Sequence, residues 1–313
     1  MRTRDATPTF TTRSVLFDAP APRIRPGGFW PTVIAVVALA MWSGSVACLR
    51  INERSLVFMA GRTRNPPPVP GAGLFQLTTS DGLPLDAVAL TAEPSSSYWI
   101  LFCPPSGRTM HGHVRRQLES LRTAGYNVLS FDYRGFGRNP GTPSESGVYA
   151  DAETAYRHLT RQRGVAPERI VLAGRSLGSA VAIELATRVP SAGLLLFSAI
   201  DSVPGIASRF YFWAPVGLLA SQRFDSMAKA PRVTVPVVQV HAPGDWLVPI
   251  DAARALFGSF PERRLMLELP GGHNDVGLDR ISRLASETGH RTTRAPRADE
   301  SLTRALQQVW RSQ

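Results

Sequence analysis

The chain has 313 residues, 43% hydrophobic and 19% charged, which is enough for one large buried core and excludes a globally disordered polypeptide. Its formal net charge is +11, almost all of it arginine, since Lys229 is the only lysine. Those arginines are scattered singly and form no basic block, so nucleic acid is not an expected partner. Attraction to anionic lipid, or a GC-rich genome, accounts for the bias equally well. Only two cysteines occur, Cys48 in an apolar stretch and Cys103 in an expected buried strand, so a disulfide framework is not expected.

Residues 1–28 carry Pro, Thr, Arg and Gly without periodicity and are expected to form a disordered tail. Residues 29–49, FWPTVIAVVALAMWSGSVACL, hold no charge. At about 1.5 Å rise per residue this length just spans a hydrocarbon core of roughly 30 Å, and Trp30 and Trp42 are rings of the kind favoured at membrane interfaces. A single-pass anchor is expected. Arg23 and Arg25 precede the run and Arg50 and Arg54 follow it, which leaves its orientation open. The competing reading is a signal sequence, because Ser45-Val46-Ala47 has the small-x-small form of a cleavage site and Ala47-Cys48 resembles the end of a lipoprotein signal. The long charged lead-in favours the uncleaved anchor. Residues 50–73, ending in the Pro/Gly-rich RTRNPPPVPGAG, are expected to be an extended tether to a domain at 74–313.

Within that domain, short apolar runs alternate with helical stretches. Leu74–Thr78 and Leu85–Leu90 read as antiparallel strands joined at Asp81-Gly82. Tyr98–Cys103 is a strand covered on both faces, His113–Ala124 a helix ended by Gly125, and Asn127–Phe131 the next strand. Gly147–Arg163 has helical spacing. Strand Arg169–Ala173, helix Ser179–Arg188, strands Leu194–Ser198 and Val237–His241, helix Asp251–Phe260 and strand Leu265–Leu269 follow. A last helix is expected near 298–310. Eight strands alternating with helices imply a mostly parallel sheet with helices on both faces.

Chemistry concentrates at 169–182, RIVLAGRSLGSAVA. An apolar strand runs into Gly174-Arg175-Ser176-Leu177-Gly178 and then into a helix of small residues, which is the context a nucleophile elbow requires. The two glycines leave room where a side chain would strike neighbouring backbone, and the helix N-terminus sets free N–H groups beside the serine. A serine hydroxyl needs a base, and the base needs an orienting acid. Both follow in order, each just after a strand: Asp245 in Ala242-Pro243-Gly244-Asp245-Trp246, and His273 in Pro270-Gly271-Gly272-His273. Asp251 is expected to cap the following helix, Asp275 lies too close to the base to orient it, and His241 is expected to pack or to hold the acid loop.

This pattern resembles the α/β-hydrolase superfamily from about Leu74 onward. It is most similar to a branch of small hydrolases with minimal lids, often membrane-anchored, that includes depalmitoylating thioesterases. The resemblance is carried by Phe131-Asp132-Tyr133-Arg134-Gly135-Phe136-Gly137-Arg138, by Gly141-Thr142-Pro143-Ser144-Glu145, by Arg223-Phe224-Asp225-Ser226, and by Gly272-His273-Asn274-Asp275; Arg54–Phe58 looks like the branch's N-terminal element. It implies a Ser176-Asp245-His273 triad and no metal or organic cofactor. It also implies an oxyanion hole from the backbone N–H groups of Leu177 and Ser106. The branch's His-Gly-Asn is replaced here by Pro104-Pro105-Ser106-Gly107; Ser106 keeps an N–H, while the prolines alter the loop. Arg108, His111 and His113 follow it as candidate substrate contacts or plain loop residues. Arg209–Leu219, rich in aromatic and aliphatic residues, is expected to form a small cover that either lines an acyl pocket or packs on the domain. The implied activity is hydrolysis of esters or thioesters, of small-molecule or lipid-like acyl substrates, at a membrane. The competing readings are a peptidase or amidase with the same triad, and a binding protein on an inactive hydrolase scaffold. Oligomeric state is not legible.

Overall fold

Uncharged runs such as WILFC and GLLLF suit a sheet whose two faces are both covered. The computed structural model describes residues 29–60, 73–94, 96–107, 113–261 and 264–276, and it buries both runs completely. The strands are β1 Gly73–Thr78, β2 Pro84–Leu90, β3 Trp99–Cys103, β4 Asn127–Phe131, β5 Ile170–Arg175, β6 Gly193–Phe197, β7 Val237–His241 and β8 Arg264–Glu268. They form one eight-stranded sheet in the order β1-β2-β4-β3-β5-β6-β7-β8. β1 and β2 pair antiparallel, as do β2 and β4, and every other pairing is parallel.

Alternation along the strands divides the core in two. Leu101, Leu129, Leu172 and Leu196 point to one face, where α3 Glu145–Arg157, α4 Leu177–Ala186 and α8 Ile250–Ser259 pack. Ile100, Phe102, Val171 and Val240 point to the other, under α2 His113–Thr123. The stretch expected as one helix over 147–163 becomes α3, begun by Ser144 accepting from the Gly147 N–H, and then a π-turn at His158–Gln162. Pro249, not Asp251, takes the N-cap position of α8; Asp251 is an exposed first-turn residue 3.9 Å from Arg254. The helix expected at 298–310 lies outside the described residues.

The uncharged run is helical, but its helix does not stop at Leu49. α1 covers Phe29–Phe58, and it is long and apolar enough to cross a membrane, with a mean hydropathy of 2.0 over its apolar 18-residue stretch. The chain divides into two compact units between Ala47 and Cys48, so the last turns of α1 belong with the sheet. The reason is visible in the side chains. Glu53 is buried and accepts hydrogen bonds from the Ser221 N–H (2.6 Å), the Ser221 hydroxyl (2.7 Å) and the Gln222 N–H (2.8 Å), while Arg50 pairs with it from the same helix. One turn later Phe58 is fully buried, its ring edge-on to Phe224 at 5.8 Å. Residues 50–58, expected to open the tether, are helical instead, and the Pro-rich part of that expected tether lies outside the described residues. Phe58→Ala is expected to cost about 3–5 kcal/mol of stability, read as a shift in the urea midpoint of the detergent-solubilised chain. A cost below about 1 kcal/mol would show that the end of α1 is not part of the core.

Candidate active site

Three strand ends converge at the carboxyl edge of the parallel sheet, the edge where such sheets gather their sites. Ser176 follows β5, Asp245 follows β7 and His273 follows β8. Ser176 has φ +51° and ψ −122°, a conformation costly for a residue with a side chain, by about 1–3 kcal/mol. The surroundings enforce it. A Cβ on Gly174 would lie 2.1 Å from the Gly178 carbonyl oxygen, and one on Gly178 would lie 2.1 Å from that of Cys103. The Ser176 N–H donates to Phe197 O at 3.0 Å, and its carbonyl accepts from the Ser179 N–H at 2.9 Å. α4 begins at the next residue, Leu177, whose N–H is among the first four of the helix and so has no intrahelical acceptor.

The structure brings the three expected residues into one hydrogen-bonded chain. His273 Nδ1 lies 2.7 Å from Asp245 Oδ2, and His273 Nε2 lies 3.0 Å from Ser176 Oγ. All three residues are buried. Burial pushes the Asp245 carboxyl up, but hydrogen bonds from His273 and the Val248 N–H outweigh it and hold the group below its ordinary value. An ionised carboxylate can only accept, so Nδ1 of His273 carries the proton. Nε2 of the neutral ring is then the acceptor facing the serine hydroxyl.

The acid is fixed by its own loop. Asp245 Oδ1 accepts from the N–H groups of Leu247 (2.9 Å) and Val248 (2.8 Å). His241 holds that loop, as expected, with Nε2 2.9 Å from Val248 O. Burial keeps His241 below its ordinary value, so the ring is neutral, and Nε2–H is the donor to that carbonyl. Asp275 is not a rival acid: its Oδ2 accepts from the Gly272 N–H at 2.9 Å and shapes the turn that carries the base. Gly244 lets the acid and base loops touch, since a Cβ there would meet Gly271 O at 2.6 Å.

Three residues whose contacts the sequence did not reveal, Arg175, Ser198 and Tyr133, hold these loops in place. Arg175, the variable residue of the pentapeptide, donates to His273 O at 2.8 Å and to Val276 O at 2.9 Å, tying the base loop to the elbow. Ser198 donates to the same His273 carbonyl at 3.1 Å. Tyr133 is fully buried, and its hydroxyl donates to Pro104 O at 3.1 Å. Burial holds that hydroxyl well above its ordinary value, so it stays a donor. At the other end of the same loop, the Gly107 N–H donates to Phe58 O at 2.9 Å. Pro104–Gly107 is thus clamped at both ends, with half-buried Ser106 between. Arg134, beside Tyr133, is locked by Asp151 and Asp81. Arg108 and His111 lie outside the described residues, and His113 opens α2. Among the described residues no group of three or more His, Cys, Asp or Glu is arranged to hold a metal.

Residues 106–225 match the family model described as serine aminopeptidase, S33. The chain is 34% identical over 269 residues to an uncharacterised protein of Mycobacterium tuberculosis, covering 82% of this chain and 95% of that protein. It is 30% identical to alpha/beta hydrolase domain-containing protein 17C of Xenopus tropicalis, over 66% of this chain and 65% of that one. Human alpha/beta hydrolase domain-containing protein 17B is 27% identical over 75% of this chain and 79% of its own. Among solved structures, an esterase of Pyrococcus furiosus superposes with a TM-score of 0.62 at 17% identity, covering 80% of this chain and 98% of that one. A Xanthomonas campestris serine hydrolase without a lid gives 0.53 at 19% identity, over 80% and 97%. These likenesses accord with the observed sheet. If Arg175 positions the base, Arg175→Met should lower turnover about tenfold or more with KM changed little, in a protein whose melting temperature is near that of the parent. Equal loss in kcat and in thermal stability would leave Arg175 only a structural role.

Proposed function

The chain belongs to the α/β-hydrolase superfamily, and on that footing we propose that it is a serine hydrolase cleaving carboxylic ester or thioester bonds through an acyl-enzyme on Ser176. The observation that carries this reading is the unbroken chain Ser176 Oγ, His273, Asp245 at 3.0 and 2.7 Å, buried and held by hydrogen bonds from neighbouring loops. In the forward step Ser176 Oγ attacks the substrate carbonyl carbon while His273 Nε2 takes its proton. Asp245 keeps the ring in the required tautomer and stabilises the imidazolium that forms. The carbonyl oxygen becomes an oxyanion facing the N–H groups of Leu177 and Ser106. Collapse breaks the bond to the alcohol or thiol, which leaves with the proton held by His273. Water, deprotonated by the same nitrogen, then releases the carboxylic acid and restores the serine.

The rigid clamp on Pro104–Gly107 supports the second donor. The His-Gly-Asn expected for the branch is absent, yet Tyr133 and Phe58 fix the loop from both sides and leave the Ser106 N–H uncommitted to either clamp. The apolar span of α1 supports a substrate that resides at a membrane, hence a lipid-like or lipidated acyl group. The family description that names an aminopeptidase favours a second reading, peptide hydrolysis with the same triad.

Both readings are tested on the full chain in detergent. A fluorophosphonate probe is expected to label the peptide bearing Ser176, and the Ser176→Ala variant is expected to lose labelling and at least about 10³-fold in kcat. Matched ester, thioester and peptide substrates should then rank with ester and thioester above peptide in kcat/KM. A higher value on the peptide selects the peptidase, and failure of the folded chain to label leaves a binding protein on an inactive scaffold.

A further inference from the structure

Residues 202–224, between β6 and the helix that follows Asp225, contain two arginines, Arg209 and Arg223, and no acidic residue. They form α5 Val203–Phe210 and α6 Val216–Leu219. One side of this pair is accounted for. Val203, Tyr211 and Leu219 line an apolar groove with Leu49, Leu56 and Val57 of α1. The other side faces solvent with large apolar groups. Phe212 is 85% exposed and Leu218 89%, and Phe210 and Trp213 are partly exposed beside them. A single exposed leucine is ordinary; several large apolar side chains clustered on one short tip mark an interaction surface.

Two further features indicate what that surface meets. The turns of α1 that line the groove begin at Leu49, where the uncharged run 29–49 ends, so the cover faces, across this groove, the residues that directly follow the membrane-type segment in the chain. The composition is that of an interfacial segment: aromatic and leucine side chains with Arg209 and Arg223, the bracketing Asp201 being paired with Arg209 at 3.5 Å. The tip is also joined to the triad. The Phe210 ring lies 6.3 Å from that of Trp246, the 67% exposed neighbour of Asp245, and Arg209 reaches Leu247 O at 3.4 Å.

We infer that the α5–α6 cover is a membrane-docking surface that inserts Phe212 and Leu218 into the interfacial layer of a lipid bilayer. Docking there would put the acid loop and Ser176 beside the lipid, so that acyl substrates enter from the bilayer. That second clause rests on the hydrolase reading proposed above; the docking itself does not.

The test uses the full chain in nanodiscs of phosphatidylcholine and phosphatidylglycerol. A fluorescent nitrobenzoxadiazole probe is placed by Leu218→Cys in a Cys48→Ser background, with Thr123→Cys at the opposite end of the sheet as the control. Headgroup-proximal spin-labelled lipid should quench the probe at 218 at least twofold more than at 123. Equal quenching at the two positions overturns docking, as does quenching at 218 by a second spin-labelled copy of the chain in place of the lipid. Phe212→Asp with Leu218→Asp should cut hydrolysis of a long-chain lipid ester in the disc at least fivefold, leave a short soluble ester within twofold, and keep fluorophosphonate labelling. Equal loss on both esters with labelling retained overturns delivery from the bilayer. Quenching at 218 in a parent chain that hydrolyses neither ester supports docking and removes the hydrolase reading.

Discussion

Backbone meets backbone at Gly174 and Gly178, and Ser176 is placed by those two contacts. Gly174 lets β5 lie against the first turn of α4, and Gly178 lets that turn lie against Cys103 and Pro104 at the end of β3. A methyl group at either position would stand 2.1 Å from a carbonyl oxygen, far inside van der Waals contact. With both ends of the turn pinned, Ser176 has no relaxed conformation open to it and takes a positive φ. The same geometry leaves the first N–H groups of α4 beside the serine, so the proposed nucleophile and the proposed oxyanion donor Leu177 follow from one steric constraint.

Everything around the elbow holds loops to it. Arg175 and Ser198 grip the carbonyl of His273, and His241 grips the acid loop through Val248. Tyr133 grips Pro104, and Phe58, from the last turn of α1, grips Gly107. Two prolines remove two donors from the Pro104–Gly107 loop, so it can do little to fix itself by its own backbone. The clamps are external and come from a β4 loop and from the helix that contains the apolar run. The turns of α1 after Ala47 are therefore part of the same compact unit as the sheet, and Glu53 fastens them to Ser221 and Gln222.

The sheet, its eight strands and the meeting of Ser176, Asp245 and His273 were legible because each rests on local pattern. Apolar runs such as WILFC and GLLLF declare two-sided burial, and Ser176, Asp245 and His273 each stand just after such a run. What was not legible depends on pairs distant in sequence. Glu53 reads as an ordinary charge beside Arg50 and Arg54 until Ser221, far along the chain, supplies its donors, so the helix was expected to end at Leu49 and the tether to start at 50. Arg175 occupies the variable place in the pentapeptide, where nothing local hints that it reaches the loop after β8. Tyr133 sits in a segment recognised by resemblance, yet its task is set by a carbonyl on a different strand. Asp251 matched the local pattern of a cap, but the chain turns into α8 one step earlier, through Pro249.

The central claim is that Ser176 carries the acyl group. It is tested most directly by quenching the full chain during turnover of an activated acyl ester and mapping the adduct by mass spectrometry. The acyl mass should appear on the peptide containing Ser176, forming faster than or as fast as kcat and decaying with the substrate's exhaustion. Turnover with no acyl mass on that peptide, or undiminished turnover by Ser176→Ala, would contradict it.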